Sequence, residues 1–196
     1  QRGGAFDFTQ TDALVGAAAR HGIGVLPVMQ YAPGWARAFP AEAASPPLTG
    51  PYQAFLRAAI GRYGTRGSFW RANPAVPRKA IRHWQVWNEP HFQGFWNAPG
   101  NSRYSFPRGY ARLLGASNKT IHSADRNART VTAGLFGASW TRLAELYRSG
   151  GVRRAFDVAA VHVYSDRAAN VLETVRRTNA TMRRYKDTGN RVWVTE

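Results

Sequence analysis

Apolar and polar positions along the chain switch period repeatedly, and they do so in a regular order. Thr9–Gly22 (TQTDALVGAAARHG) sets Leu14, Val15 and Ala18 on one helical face, with Thr9 or Thr11 available as a cap and Gly22 as a stop. Ile23–Met29 (IGVLPVM) is a continuous apolar run of strand length. Pro51–Gly64 predicts a second helix, opened by Pro51, striped by Phe55, Ala59 and Ile60, and ended by Gly64. Further on, the pattern predicts strands over Ile81–Trp87, Thr130–Phe136, Phe156–Tyr164 and Arg191–Glu196. Helices are predicted over Tyr110–Arg126, Thr141–Gly150 and Val171–Tyr185. This unbroken alternation predicts a parallel sheet wrapped by helices, and the strands are apolar on both faces, as buried parallel strands are.

A doubly wound sheet and a (β/α)₈ barrel both fit such an alternation. The doubly wound fold places a glycine-rich phosphate turn after its first strand. Here Gly22-Ile23-Gly24 precedes the strand and reads as a helix stop, which argues against a nucleotide site. The barrel collects its functional groups at the C-terminal ends of its strands. The longest loop, Gln30 to Gly50, holds four prolines together with Tyr31 and Trp35, and long loops in compact domains tend to carry function.

Composition narrows the picture only in part. At 196 residues and 44% hydrophobic, the chain is long enough for a domain with a core and is not a disordered tail. No apolar run approaches the roughly 20 residues needed to cross a bilayer. The first residue is Gln1, so the lack of a leader says nothing about export. No cysteine is present, which excludes disulfides, thiol catalysis and thiolate metal sites. The net charge of +16 invites a nucleic-acid reading. However, of 27 basic residues only Lys79, Lys119 and Lys186 are lysines, which leaves 24 arginines, scattered without a block. With abundant Ala and Gly, that bias reads as codon usage and solvated surface. Nucleic acid is therefore not the expected partner, and an acidic polysaccharide would meet the same charge. Asn118-Lys119-Thr120 and Asn179-Ala180-Thr181 are glycosylation sequons, but both fall in predicted helices and carry little weight.

The unusual residues sit at strand ends. Ile81–Trp87 stops at Asn88-Glu89-Pro90, Phe156–Tyr164 ends in His162-Val163-Tyr164, and Arg191–Glu196 ends in Glu196. Glu89 and Glu196 are 107 positions apart, three strand–helix units of about 36 residues each, a spacing that suits a barrel. Strands facing each other across a barrel can aim both carboxylates into one mouth. Two carboxylates across a cleft, one protonated and one ionised, are the machinery of glycoside hydrolysis, and a neighbouring amide can bind a sugar 2-OH. The plain alternatives are a surface-turn Glu89, a frayed Glu196, satisfied core roles for His162 and Tyr164, and packing roles for Trp84, Trp87 and Trp193. His91 reads as a loop residue.

The stretches VLPVMQYAPGWA, RYG, WQVWNEP followed by FW, HVY and VWVTE together resemble clan A of the glycoside hydrolases. They are most similar to family 39 and its bacterial relatives, with family 5 cellulase-like enzymes next. The resemblance covers nearly the whole chain. It implies a TIM barrel in which Asn-Glu-Pro ends strand four and a second Glu ends strand seven. Glu89 then matches the general acid/base, Glu196 the nucleophile and Asn88 the amide beside the scissile bond. His162 and Tyr164 line the pocket from strand six, with Tyr164 orienting a carboxylate, while Trp35, Trp96 and Trp140 are candidate sugar platforms. The implied mechanism is retaining, on an oligo- or polysaccharide, with the carboxyl groups about 5–5.5 Å apart and no metal or organic cofactor.

On this count residues 1–196 supply strands three to seven of one catalytic domain, an incomplete (β/α)₈ barrel lacking strands one, two and eight. A barrel needs about 250 residues. The expectation is a piece of a larger enzyme, secreted or at the cell surface, inactive and marginally stable by itself. The competing expectation is a non-catalytic polysaccharide-binding protein that uses the aromatic loops and the arginines.

Overall fold

The computed structural model describes residues 6–100 and 102–196. Among these residues five parallel strands form one sheet: β1 (Val28–Met29), β2 (His83–Val86), β3 (Arg129–Val131), β4 (Val158–Val161) and β5 (Arg191–Val194). Their order in the sheet is their order in the chain, and every neighbouring pair is parallel. The helices are α1 (Thr9–Arg20), α2 (Thr49–Tyr63), the short α3 (Ser68–Ala72), α4 (Arg108–Ala124), α5 (Ser139–Arg148) and α6 (Ala168–Arg184). Among them, none is long and apolar enough to cross a membrane.

The two faces of the sheet are treated differently. One packs against the helices in a large core that includes Trp84, Val86, Leu114, Leu135, Leu143 and Ala159. The other carries a small cluster made from strands alone, Val131, Val158 and Ala160, flanked by Leu26 and Trp193. Helices on one face and strictly sequential order are features of a barrel wall. A doubly wound sheet instead covers both faces and reverses its order.

The strands are shorter than the apolar runs suggest. Ile23–Met29 contributes only two ladder residues, Val28 opposite Gln85 and Met29 opposite Val86. Pro27 has no N–H to give, although its carbonyl accepts from Gln85 at 3.1 Å. The strand is also at the sheet edge, where Val28 remains 42% exposed. Thr130–Phe136 likewise pairs regularly only to Val131 and continues through isolated bridges at Gly134 and Leu135. The helices fall close to their predicted spans, but Leu14 and Phe55, placed on the inner stripes, are exposed, and the buried faces centre on Val15 and Ala19 and on Leu56 and Ile60.

A polar tie fixes α1 to α2. Asp12 accepts from Arg62 Nε at 2.8 Å and from the Tyr63 hydroxyl at 2.6 Å. The Arg62 hydrogen bond holds the Asp12 carboxyl below its ordinary range, against the opposing push of burial. A carboxyl depressed in the fold contributes stability above its unfolded pKa and loses it as pH falls through the folded one. Asp12→Asn should therefore cost roughly 1 kcal/mol at pH 7. The gap between variant and parent in urea midpoint should close as pH falls through the carboxylate range.

Candidate active site

Sequential parallel order brings the C-terminal ends of β2 to β5 level with one another, and backbone bonds extend the sheet past the regular strands. Asn88 bridges Gly134, and Glu89 N–H donates to the Gly134 carbonyl at 3.2 Å. His162 N–H donates to the Leu135 carbonyl at 2.9 Å, and Val163 N–H to the Glu196 carbonyl at 3.0 Å. Just past β2 the backbone leaves its regular path. Trp87 and Glu89 both adopt left-handed conformations, at φ 72° and 40°. Two such turns within three residues break the period-two alternation of a strand, and a non-glycine residue held this way costs about 1–3 kcal/mol. That cost is offset by packing: Trp87 is fully buried, and its indole N–H donates to the Phe95 carbonyl at 2.8 Å.

Glu89, His162 and Glu196 meet at these ends, each offering a ligand-type atom within 4.8 Å of the others. His162 is the hinge of the group. Its Nδ1 lies 2.6 Å from Glu89 Oε1, and its Nε2 lies 3.4 Å from Glu196 Oε1. Glu89 is 7% exposed and His162 1%, whereas the Glu196 side chain is 44% exposed. Tyr164, itself exposed, donates its hydroxyl to Glu196 Oε2. That hydrogen bond to the carboxylate pushes the Tyr164 pKa up to about 12, so the phenol stays protonated and remains a donor. The imidazole lies against bare backbone: a Cβ on Gly134 would stand 1.8 Å from His162 Nε2.

Asn88 joins the group through the backbone and is buried, with its side-chain Oδ1 unpartnered among the described residues. Trp35 sits on a 3-10 turn (Gly34–Ala36), 41% exposed, beside an apolar cavity of about 740 Å³ lined with Tyr31, Tyr52 and Phe55. None of the three clustered residues lines that cavity. Trp96 is a correction. Instead of offering a sugar platform it is 5% exposed, packs edge-on against Trp87 and Tyr110, and donates its indole N–H to the Tyr104 carbonyl at 2.7 Å. Trp140 has one face taken by the Arg177 guanidinium, 4.8 Å from the ring centre. Trp84, like Trp87, packs in the core.

Two further residues belong to the neighbourhood. Gly134 is the first, and its signal in the sequence is a glycine inside a strand run, which marks close approach of another group. The second is His91, whose ring nitrogens are both buried without a partner among the described residues. Burial, then the positive charge of Arg142, lowers its pKa to about 4, so His91 is neutral at neutral pH.

An arc of parallel strands in sequential order with helices on one face is the architecture of part of an α/β barrel. Comparison with solved structures agrees. The fold is similar to a GH39 β-xylosidase from Caulobacter crescentus, with TM-score 0.66 and 23% identity over 100% of this chain and 42% of that one. It is also similar to the GH39 enzyme from Xanthomonas axonopodis pv. citri, with TM-score 0.64 and 17% identity over 97% and 40% of the two chains. A third likeness is to the GH53 catalytic domain of Ignisphaera aggregans, with TM-score 0.57 and 20% identity over 96% and 49%. The protein thus has the fold of a section of a (β/α)₈ barrel, and it spans about two fifths of the length of the GH39 structures. No protein-family model and no curated protein matches the sequence.

Proposed function

We propose that the chain is the strand-three-to-strand-seven section of a (β/α)₈ retaining glycoside hydrolase of clan A, close to family 39. Glu89 is the general acid/base and Glu196 the nucleophile. The observation that carries this reading is the Glu89–His162–Glu196 cluster, in which the carboxylate oxygens approach within 4.8 Å. That spacing suits double displacement, where the carboxyl groups are about 5–5.5 Å apart, and is too close to hold the water of an inverting enzyme.

In the first step protonated Glu89 gives its proton to the glycosidic oxygen as that bond breaks, and Glu196 Oε1 bonds to the anomeric carbon. In the second step Glu89, now ionised, takes a proton from water. The hydroxide so formed displaces Glu196 and restores both carboxyl groups. Tyr164 holds Glu196 Oε2, leaving Oε1 to attack, and Asn88 is placed for the sugar 2-OH. The substrate class is an oligo- or polysaccharide, with β-xylosides the first to try because two of the similar structures are β-xylosidases. The positive charge also admits acidic chains. Such a substrate suits a secreted or surface enzyme. The 196 residues alone, lacking the rest of the barrel, turn over little.

A 2-deoxy-2-fluoro-β-xyloside with a good leaving group tests the assignment in the longest polypeptide encoded by the reading frame. The fluorine destabilises the oxocarbenium-like transition states of both steps, and the activated leaving group spares the first, so the covalent intermediate accumulates. We expect one sugar per chain, on the peptide containing Glu196. A label on another residue would remove Glu196 from its role.

A further inference from the structure

We propose that His162 Nε2 and Glu196 Oε1 form a binding site for a divalent cation of the zinc type, and that filling it blocks the nucleophile. The His162 side chain is fully enclosed, yet Nε2 has no hydrogen-bond partner among the described residues. A buried nitrogen left in that state is costly, and it calls for something to fill the gap. The gap has a specific size. Nε2 and Glu196 Oε1 are 3.4 Å apart, longer than a good hydrogen bond of about 2.7–3.2 Å. Two ligands about 2.0–2.2 Å from a tetrahedral ion stand roughly 3.4 Å from each other.

The opposite side of the ring completes the arrangement. Nδ1 is 2.6 Å from Glu89 Oε1. With Nδ1–H donating to Glu89 Oε1, the lone pair of the ring sits on Nε2, turned towards Glu196. A carboxylate on the far nitrogen is the support that metal-bound histidines usually have, because it fixes the tautomer and raises the basicity of the ligating nitrogen. The imidazole cannot swing away, since it is enclosed and lies against Gly134. A mixed nitrogen and carboxylate pair suits Zn²⁺, whereas Mg²⁺ and Ca²⁺ require six or more oxygens. The half-exposed Glu196 leaves the remaining coordination positions to water. Such an ion inhibits the reaction and takes no part in it. Binding stands independently of the hydrolase reading, and only the inhibition rests on it.

The test is calorimetric titration of ZnCl₂ into the chelator-stripped longest polypeptide, in a buffer that does not bind metal. We expect one ion per chain, undisturbed by millimolar MgCl₂. Glu196→Gln, whose side chain is partly in solvent and tolerates the change, should weaken binding at least 10-fold. Glu89→Gln should weaken it about 10–100-fold through the ring. His21→Ala, at an exposed histidine outside the cluster, should leave it unchanged. Absence of stoichiometric binding, or binding indifferent to Glu196→Gln, would overturn the site. Turnover is then measured with excess chelator and with zinc. Inhibition reversed by the chelator supports the blocked nucleophile. Zinc binding with no hydrolysis in the chelator leaves the site standing and refutes the hydrolase reading.

Discussion

Glu196→Gln, made in the longest polypeptide of the reading frame, should lower kcat/KM for an aryl β-glycoside about 10⁴-fold or more, because the amide cannot form the glycosyl ester. Glu89→Gln should behave differently in kind. Removing a general acid/base costs about 10²–10⁴-fold, but the loss depends on the leaving group. A substrate that departs without protonation still loads the enzyme, and water attack on the ester becomes the slow step. A burst of released phenol followed by slow turnover is therefore expected from Glu89→Gln with an activated substrate, and no burst from Glu196→Gln. Both variants should still bind sugar, since each change keeps the size and hydrogen-bonding capacity of the side chain and leaves Asn88 in place. If both retain full turnover, the carboxylates have been misassigned. A non-catalytic polysaccharide binder would instead lose affinity steeply with salt and ignore both changes.

The second large effect is expected from a methyl group. Gly134→Ala would place Cβ 1.8 Å from His162 Nε2 and 2.4 Å from its two neighbouring ring carbons. None of the surroundings gives way freely. His162 is enclosed and tied to Glu89, while Gly134 accepts Glu89 N–H and Leu135 accepts His162 N–H across adjoining strands. Either the ring leaves Glu89 or β3 shifts against β4. We expect a loss of about 1–3 kcal/mol in stability, as overpacking usually gives. We also expect a fall in kcat/KM larger than that stability loss explains, because the cluster itself moves. Gly137→Ala is the comparison: Gly137 has φ +66° but open space at its Cβ, so that change strains the backbone without touching the ring. Should Gly134→Ala match the parent in urea midpoint and turnover, the close packing on His162 is not what holds the site.

Much of this was legible in the residues, and the exceptions have physical reasons. Helices over Thr9–Arg20, Thr49–Tyr63 and Ala168–Arg184 show because a 3.6-residue period is set by local chemistry. α3 does not show, because five residues (SFWRA) hold no period, and Phe69 and Trp70 are buried by tertiary packing alone. The strand in Ile23–Met29 is shorter than its apolar run, since apolar character predicts burial and only a paired neighbour makes a ladder. The convergence of Glu89, His162 and Glu196 followed from their places at strand ends. Trp96 misled because a platform and a core tryptophan have the same composition, and only the bond to Tyr104 separates them. His91 could be read only as a loop residue, and its burial depends on Phe106 and Phe136, remote in sequence.

The strictly sequential strand order also governs how the molecule comes into being. Each new strand docks beside the one made just before it, so a chain leaving the ribosome finds its partner already in place. Growth is nearly one-dimensional, with stability added unit by unit as in a solenoid. The cluster obeys a different schedule. Glu89 waits through two further units before β4 brings His162, and through a third before β5 brings Glu196. Until then a buried-to-be carboxylate and imidazole face water, and nascent intermediates lack the cluster however well their sheet has formed.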